Sequence, residues 1–160
     1  MRLSIIAIGR LKERGEPELV ERYRERIDAA GRSMALGPLT VTELPEARQT
    51  DSRQRRDDEA ARLLQAAVRA ECRVALDERG KQLSSEAFAA WLAAERDRGA
   101  REAAFLLGGP DGHGEGARTA ATLRLSLGPM TLPHGLARVI LAEQLYRAIT
   151  IISGHPYHRA

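Results

Sequence analysis

Four short stretches of this 160-residue chain hold residue types that could do chemistry. The run Leu106-Leu107-Gly108-Gly109-Pro110-Asp111-Gly112-His113-Gly114-Glu115-Gly116 places five glycines within residues 108–116. Such a turn lets a backbone come close to a ligand and adopt positive φ. Its Gly112-x-Gly114-x-x-Ala117 spacing meets a weak dinucleotide fingerprint, but that fingerprint also needs an acidic residue at the end of the next strand, about 20 residues on, and further βαβ units, whereas the following strand is short and only one helix remains after it. The stretch Leu76-Asp77-Glu78-Arg79-Gly80-Lys81-Gln82-Leu83-Ser84-Ser85 follows a strand, where open α/β sheets bind ligands. Its Gly80-Lys81 pair is not a phosphate loop, because no glycine lies five residues before Gly80 and Gln82 follows the lysine. The segment Leu127-Gly128-Pro129-Met130-Thr131-Leu132-Pro133-His134-Gly135-Leu136-Ala137-Arg138 brackets a small apolar patch with prolines and glycines, and reads as a stiff connector with exposed main-chain groups. His155-Pro156-Tyr157-His158-Arg159 closes the chain, and alone it reads as a fraying tail. A metal site is not expected: His155 and His158 lack i, i+4 spacing and have no nearby carboxylate.

The elements that must position these stretches alternate. Leu3 to Ile8 is a β-branched-rich run ending at Gly9, a buried first strand. Pro17 introduces a helix over Glu18 to Ala29, with Leu19, Val20, Tyr23 and Ile27 at helical spacing. Leu39 to Leu44 alternates as a second strand closed by Pro45. The charge-dense run Gln49 to Glu59 leads into an Ala/Leu-rich helix over Ala60 to Ala70, and is read as a solvated face ahead of an RNA contact. Val74 to Leu76 is a third strand. Ser84 or Ser85 caps a helix over Glu86 to Arg98, and Ala103 to Leu107 is a fourth strand. A helix from Ala117, a short apolar segment over Leu123 to Leu127 and a long helix from Gly135 to Ile152 complete the chain. Strands alternating with helices predict one α/β domain over residues 1–160 with a mostly parallel sheet.

Apolar residues make up 43% of the chain, enough for a core, which excludes global disorder. The single cysteine, Cys72, excludes an intrachain disulfide and opens an apolar run, so it is read as a small core residue. No stretch approaches the ~20 apolar residues that cross a bilayer, and the apolar run after Met1 is too short for a signal peptide. A cytoplasmic setting is expected, with no membrane. The formal charge of +3 permits a nucleic-acid partner without demanding one, since 25 basic residues face 22 acidic ones.

Taken together, the motifs resemble those of the RlmH family of SPOUT methyltransferases, which methylates N3 of a pseudouridine in bacterial large-subunit ribosomal RNA. The residues that carry the likeness are Leu76-Asp77-x-x-Gly80-Lys81, Leu107-Gly108-Gly109-Pro110-x-Gly112, Met130-Thr131-Leu132-Pro133-His134, Arg138-Val139-x-Leu141-x-Glu143-Gln144-Leu145-Tyr146-Arg147-Ala148 and His155-Pro156-Tyr157-His158-Arg159. It runs from Met1 to Arg159, loosely before Leu76 and densely after Ala103.

The resemblance implies a mostly parallel sheet flanked by helices with a C-terminal trefoil knot, which nothing in composition or periodicity foretells. It implies S-adenosylmethionine held by Leu76, Gly108, Leu127, Gly128, Pro129, Met130, Thr131 and Leu132, and a homodimer whose partner chain completes the site. The substrate would be large-subunit ribosomal RNA within the ribosome. N3 of a uracil-type base must lose a proton, and the candidate catalytic residues near the donor are His134, Arg138, Tyr157, His158 and Arg159, with His155 beside them. His134 at a helix start, where the dipole disfavours its protonated form, reads equally as a base or as a helix-opening residue. The tail's histidines, tyrosine and arginine suit base stacking and a phosphate grip. Arg138 and Lys81 are candidates for positioning substrate or phosphate. The final helix carries apolar residues on more than one face, in keeping with burial on several sides. The competing readings are a non-catalytic RNA- or ribosome-binding module and a nucleotide-dependent α/β enzyme.

Overall fold

The two apolar runs expected as buried strands lie side by side at the centre of a sheet. In the computed structural model, which describes residues 1–157, β1 (Arg2–Ile8) pairs in parallel with β4 (Glu102–Leu107) on one side and with β2 (Leu39–Leu44) on the other. β4 continues to β3 (Cys72–Gln82), and β3 to the edge strand β5 (Leu123–Ser126), giving the all-parallel order β2-β1-β4-β3-β5. A parallel sheet covered on both faces needs strands apolar on both sides. β1 and β4 meet this: Leu3, Ile5, Ala7, Ala103, Phe105 and Leu107 enter one core, while Ile6, Ile8, Ala104 and Leu106 enter another.

The larger core lies under α1 (Glu16–Gly31), α3 (Ser85–Asp97) and α5 (His134–Ser153), with α5 packed between the other two. The smaller lies under α2 (Ser52–Ala66), which packs with the short α4 (Glu115–Ala120). Ser84 caps α3 as its position suggested, its hydroxyl accepting the Ala87 N–H at 3.2 Å. The charge run after Gln49 is inside α2 from Ser52 onward, because Asp51 caps that helix by accepting from Gln54 N at 2.8 Å.

One sequence expectation is corrected. The chain after Leu76 is not a turn: β3 runs eleven residues, and Leu76 and Lys81 both face Leu125, so residues 77–80 bulge out between them. Gly80 makes this possible, since a Cβ there would sit 2.7 Å from the Arg124 backbone. Cys72 is buried, donates to Glu95 Oε2 at 3.3 Å, and has its thiol pushed up to about 12 by burial and then by that carboxylate. It is a core residue, as read.

Candidate active site

Five parallel strands send their C-terminal ends to one edge, so the stretches singled out in the sequence converge there. Two cavities meet at that edge and share Leu76, Leu132 and Ala137. One, of about 340 Å³, is walled by Leu107, Gly108, Pro110, His113 and His134. The other, of about 190 Å³, is walled by Asp77, Leu125, Leu127, Gly128, Met130 and Thr131. All the residues expected to hold a cofactor line this double cleft except Pro129, which is exposed. A separate cavity of about 340 Å³ lies between β5, α3 and α5. It shares Leu125, Ser126, Leu127 and Gly128 with the cleft but reaches neither the glycine turn nor His134.

The glycine turn folds back on itself. Gly112 N donates to Gly109 O at 2.9 Å, and a Cβ on Gly108 would meet the backbone of Gly112 at 2.9 Å, so only glycine fits. The bulge of β3 is fixed by Asp77, which accepts from Arg79 N at 2.9 Å and from Arg118 Nε at 2.7 Å. Burial works against the Asp77 carboxylate, but those two donors outweigh it and hold it below the usual carboxylate range. His113 is 3% exposed, and its Nε2 lies 3.1 Å from Leu106 O. A carbonyl only accepts, so Nε2 carries the hydrogen. Burial lowers the ring's proton affinity, which leaves Nδ1 an acceptor with no partner among the described residues.

His134 opens α5 and faces the same cleft. Its Nε2 lies 3.2 Å from Arg138 Nη2. A guanidinium has no acceptor, so this contact assigns the lone pair to Nε2. Burial and then the Arg138 charge lower the imidazole's proton affinity, against weaker opposing effects of Ile8, Glu46 and Glu43, so the ring is neutral at neutral pH.

Arg138 departs from the expected role. It is fully buried: Nη1 donates to Glu43 Oε1 at 2.5 Å and Nη2 to Gly9 O at 3.0 Å. A side chain so enclosed cannot grip a phosphate arriving from solvent, and its contact within the site is with His134. Lys81 is exposed at the end of β3, facing Leu125 in the ladder.

Tyr157 is not brought to the cleft of its own chain. Its hydroxyl donates to Glu143 Oε1 at 3.2 Å, and its ring lies 4.7 Å from that of Tyr146, with the Arg147 guanidinium 5.2 Å away. Glu143 is nine residues beyond His134 along α5, roughly 14 Å at helical rise. Burial, followed by Tyr23 and Glu143, pushes the phenol up to about 12, so it is protonated. His158 and Arg159 lie outside the described residues.

The sequence reading missed three participants. Glu43, Asp77 as an Arg118 partner, and His113 gain their roles from partners 95, 41 and 7 residues away. The one local signal was an acidic residue at the C-terminal end of a strand, just before Pro45. No group of three or more His, Cys, Asp or Glu side chains among the described residues is placed to hold a metal ion, and no helix among them is long and apolar enough to cross a membrane.

Comparison with known proteins gives a consistent result. A family model described as Predicted SPOUT methyltransferase matches residues 1–158. The chain is 48% identical over 160 residues to a protein of Brucella anthropi named ribosomal RNA large subunit methyltransferase H, and 49% identical to one of the same name from Xanthobacter autotrophicus, with all of each chain covered. Among solved structures it is similar to a probable methylase family protein from Haemophilus influenzae Rd KW20, with a TM-score of 0.55 and 12% identity, over 99% of this chain and 70% of that one. That likeness concerns the fold.

Proposed function

Because the chain belongs to the SPOUT methyltransferase family, within its ribosomal RNA large subunit methyltransferase H branch, we propose that it methylates N3 of a pseudouridine in large-subunit ribosomal RNA on the assembled ribosome. Full-length identity near 48% to relatives that carry an enzyme's name favours this over a non-catalytic RNA-binding module or a nucleotide-dependent enzyme. The observation that carries the site assignment is the double cleft at the C-terminal edge, where Leu76, Gly108 and the run Leu127 to Leu132 meet.

The cleft suits S-adenosylmethionine in its chemistry. Leu76, Leu107, Leu127 and Leu132 give apolar walls for a purine, Gly108 gives backbone access, and the unpartnered His113 Nδ1 matches a ligand rich in hydroxyl and amino donors. Leu76, Gly108, Leu127, Gly128, Met130, Thr131 and Leu132 would hold it. When bound, it supplies an electrophilic methyl group on a sulfonium, which leaves as a neutral thioether. The chain's own contribution is orientation: the neutral His134 ring, its lone pair engaged by Arg138, fixes one wall against which the base lies. We assign the N3 proton to solvent and His134 to positioning, because that lone pair is already filled.

The tail belongs to the same proposal. Tyr157 packs far along α5 from its own cleft, so its side chain, with His158 and Arg159, would serve the cleft of a second copy in a homodimer. Half-buried Val139 and Ile140 and the exposed Leu136 on α5 support a partner against that helix. Threading of α5 into a trefoil knot is likewise part of the proposal, as is a cytoplasmic setting, where ribosomes reside. Calorimetry tests the cofactor: binding of S-adenosylmethionine is expected, and no heat at millimolar cofactor would sink it. Mass spectrometry of ribosomal RNA from a strain lacking this gene tests the substrate: one methylated pseudouridine should disappear, and its persistence would overturn the assignment.

A further inference from the structure

The charge run that stands out in the sequence is largely neutralised by its own ion pairs. Of the four arginines on α2, Arg55 is paired with Asp111 at 2.8 Å, Arg62 with Asp58 and Arg53 with Asp57 at 4.0 Å, which leaves Arg56 alone without a carboxylate within 4.0 Å among the described residues. The loop between β1 and α1 is the contrast. Arg10, Lys12 and Arg14 are exposed, and no carboxylate among the described residues lies within 4.0 Å of their charged groups. Only one carboxylate, Glu13, interrupts them in sequence, so the loop presents three cations against one anion.

This loop is also tied to the cleft. Gly9 O accepts from the buried Arg138, Leu11 N donates to Glu43 Oε1 at 3.0 Å, and that same Glu43 oxygen receives Arg138 Nη1. Arg138 in turn contacts His134. At the loop's far end, Glu16 packs on Gly135, where an added Cβ would fall 2.0 Å from its carboxylate. A flexible basic loop would attract RNA without aligning it. One held at both ends beside His134 aligns what it binds.

We infer that Arg10, Lys12 and Arg14 grip the phosphate backbone of the RNA substrate, held in register with the cleft by Glu43 and Arg138. The inference rests on the proposed RNA methyl transfer and names the surface that serves it. Each phosphate neutralised releases counterions, so binding through three such contacts carries a salt dependence that disappears with the charges.

The test compares the full-length protein with the triple variant Arg10→Gln/Lys12→Gln/Arg14→Gln and a charge-keeping control, Arg10→Lys/Lys12→Arg/Arg14→Lys. Ribosomes from a strain lacking the gene serve as the probe, in filter binding and in methyl transfer across a salt series. For the glutamine variant we expect Kd and KM to rise at least tenfold at moderate salt and kcat to stay within threefold. The log–log salt slope should fall by about three. S-adenosylmethionine affinity and Tm should not move, and the control should keep wild-type binding. A change in Kd below threefold with an unchanged slope would overturn the inference, as would equal loss in the control. If the wild-type chain binds ribosomes but transfers no methyl group, the functional reading fails while filter binding still decides the role of the loop.

Discussion

Arg138 Nη2 lies 3.2 Å from His134 Nε2, one turn apart on α5, and the same guanidinium reaches back to Glu43 on β2 and Gly9 after β1. The pair joins the start of the last helix to the ends of the first two strands. It also fixes what His134 can do, because a donor that cannot accept occupies the ring's lone pair.

The pH profile of turnover follows. Were His134 the base, kcat would level off once its imidazole is neutral, at or below about pH 6.5. With the proton leaving to solvent, kcat measured under saturating substrate should keep climbing above pH 7. His134→Asn should cost less than about 100-fold in kcat, under the range typical of a lost general base, and should keep the shape of the profile. A plateau below pH 6.5, or a larger loss, would restore the base.

Removing Arg138 should be felt in stability and in His134. Arg138→Gln strands Glu43 and part of the Gly9 carbonyl, and should lower stability by about 3 kcal/mol, the low end for a broken buried pair because the Glu43 side chain is a third exposed. The imidazole of His134, relieved of a neighbouring cation, should titrate at higher pH by NMR. An unchanged titration would show that burial alone sets it.

Acid should loosen the fold through both histidines. Burial lowers the proton affinity of His113 first of all, and burial followed by Arg138 lowers that of His134. Each therefore binds more protons unfolded than folded once the pH falls below about 6.5. Their contribution is complete above that value and is lost as the pH drops toward their folded values. Tm should fall between pH 7 and 5, and His113→Gln should flatten that fall; a parallel curve for the variant would assign the acid sensitivity elsewhere.

Much of this fold was legible because local pattern and tertiary environment agree. Leu3 to Ile8 reads as a buried strand and is one, Ser84 reads as a cap and accepts the Ala87 N–H, and the last helix falls within a residue of its expected ends. What escaped depends on distant partners. Gly80 and Lys81 look like a turn, and only pairing with Leu125 and Ser126 keeps β3 extended past its bulge. Arg138 looks like a surface arginine until Glu43, 95 residues earlier, gives it a reason to be buried. The cofactor cleft was named from motifs, whereas Glu43 carries no motif and appears only when the strands are in register, and His113, inside the glycine-rich stretch, gains a role only from its burial against Leu106.

The glycine turn gives a sharper test of the cleft. Gly108→Ala would force a Cβ to within 2.9 Å of the Gly112 backbone, which must move. Calorimetry should show S-adenosylmethionine affinity reduced at least tenfold, a larger effect than the ~1 kcal/mol or so expected on stability from a displaced surface turn. Wild-type affinity would place the ligand away from this turn.

The most direct test is reconstitution. Purified protein, labelled S-adenosylmethionine and ribosomes from a strain lacking the gene should yield one methyl group per large subunit, found by mass spectrometry at N3 of a pseudouridine. Label at another position or none at all, from protein that binds the cofactor, would contradict the account.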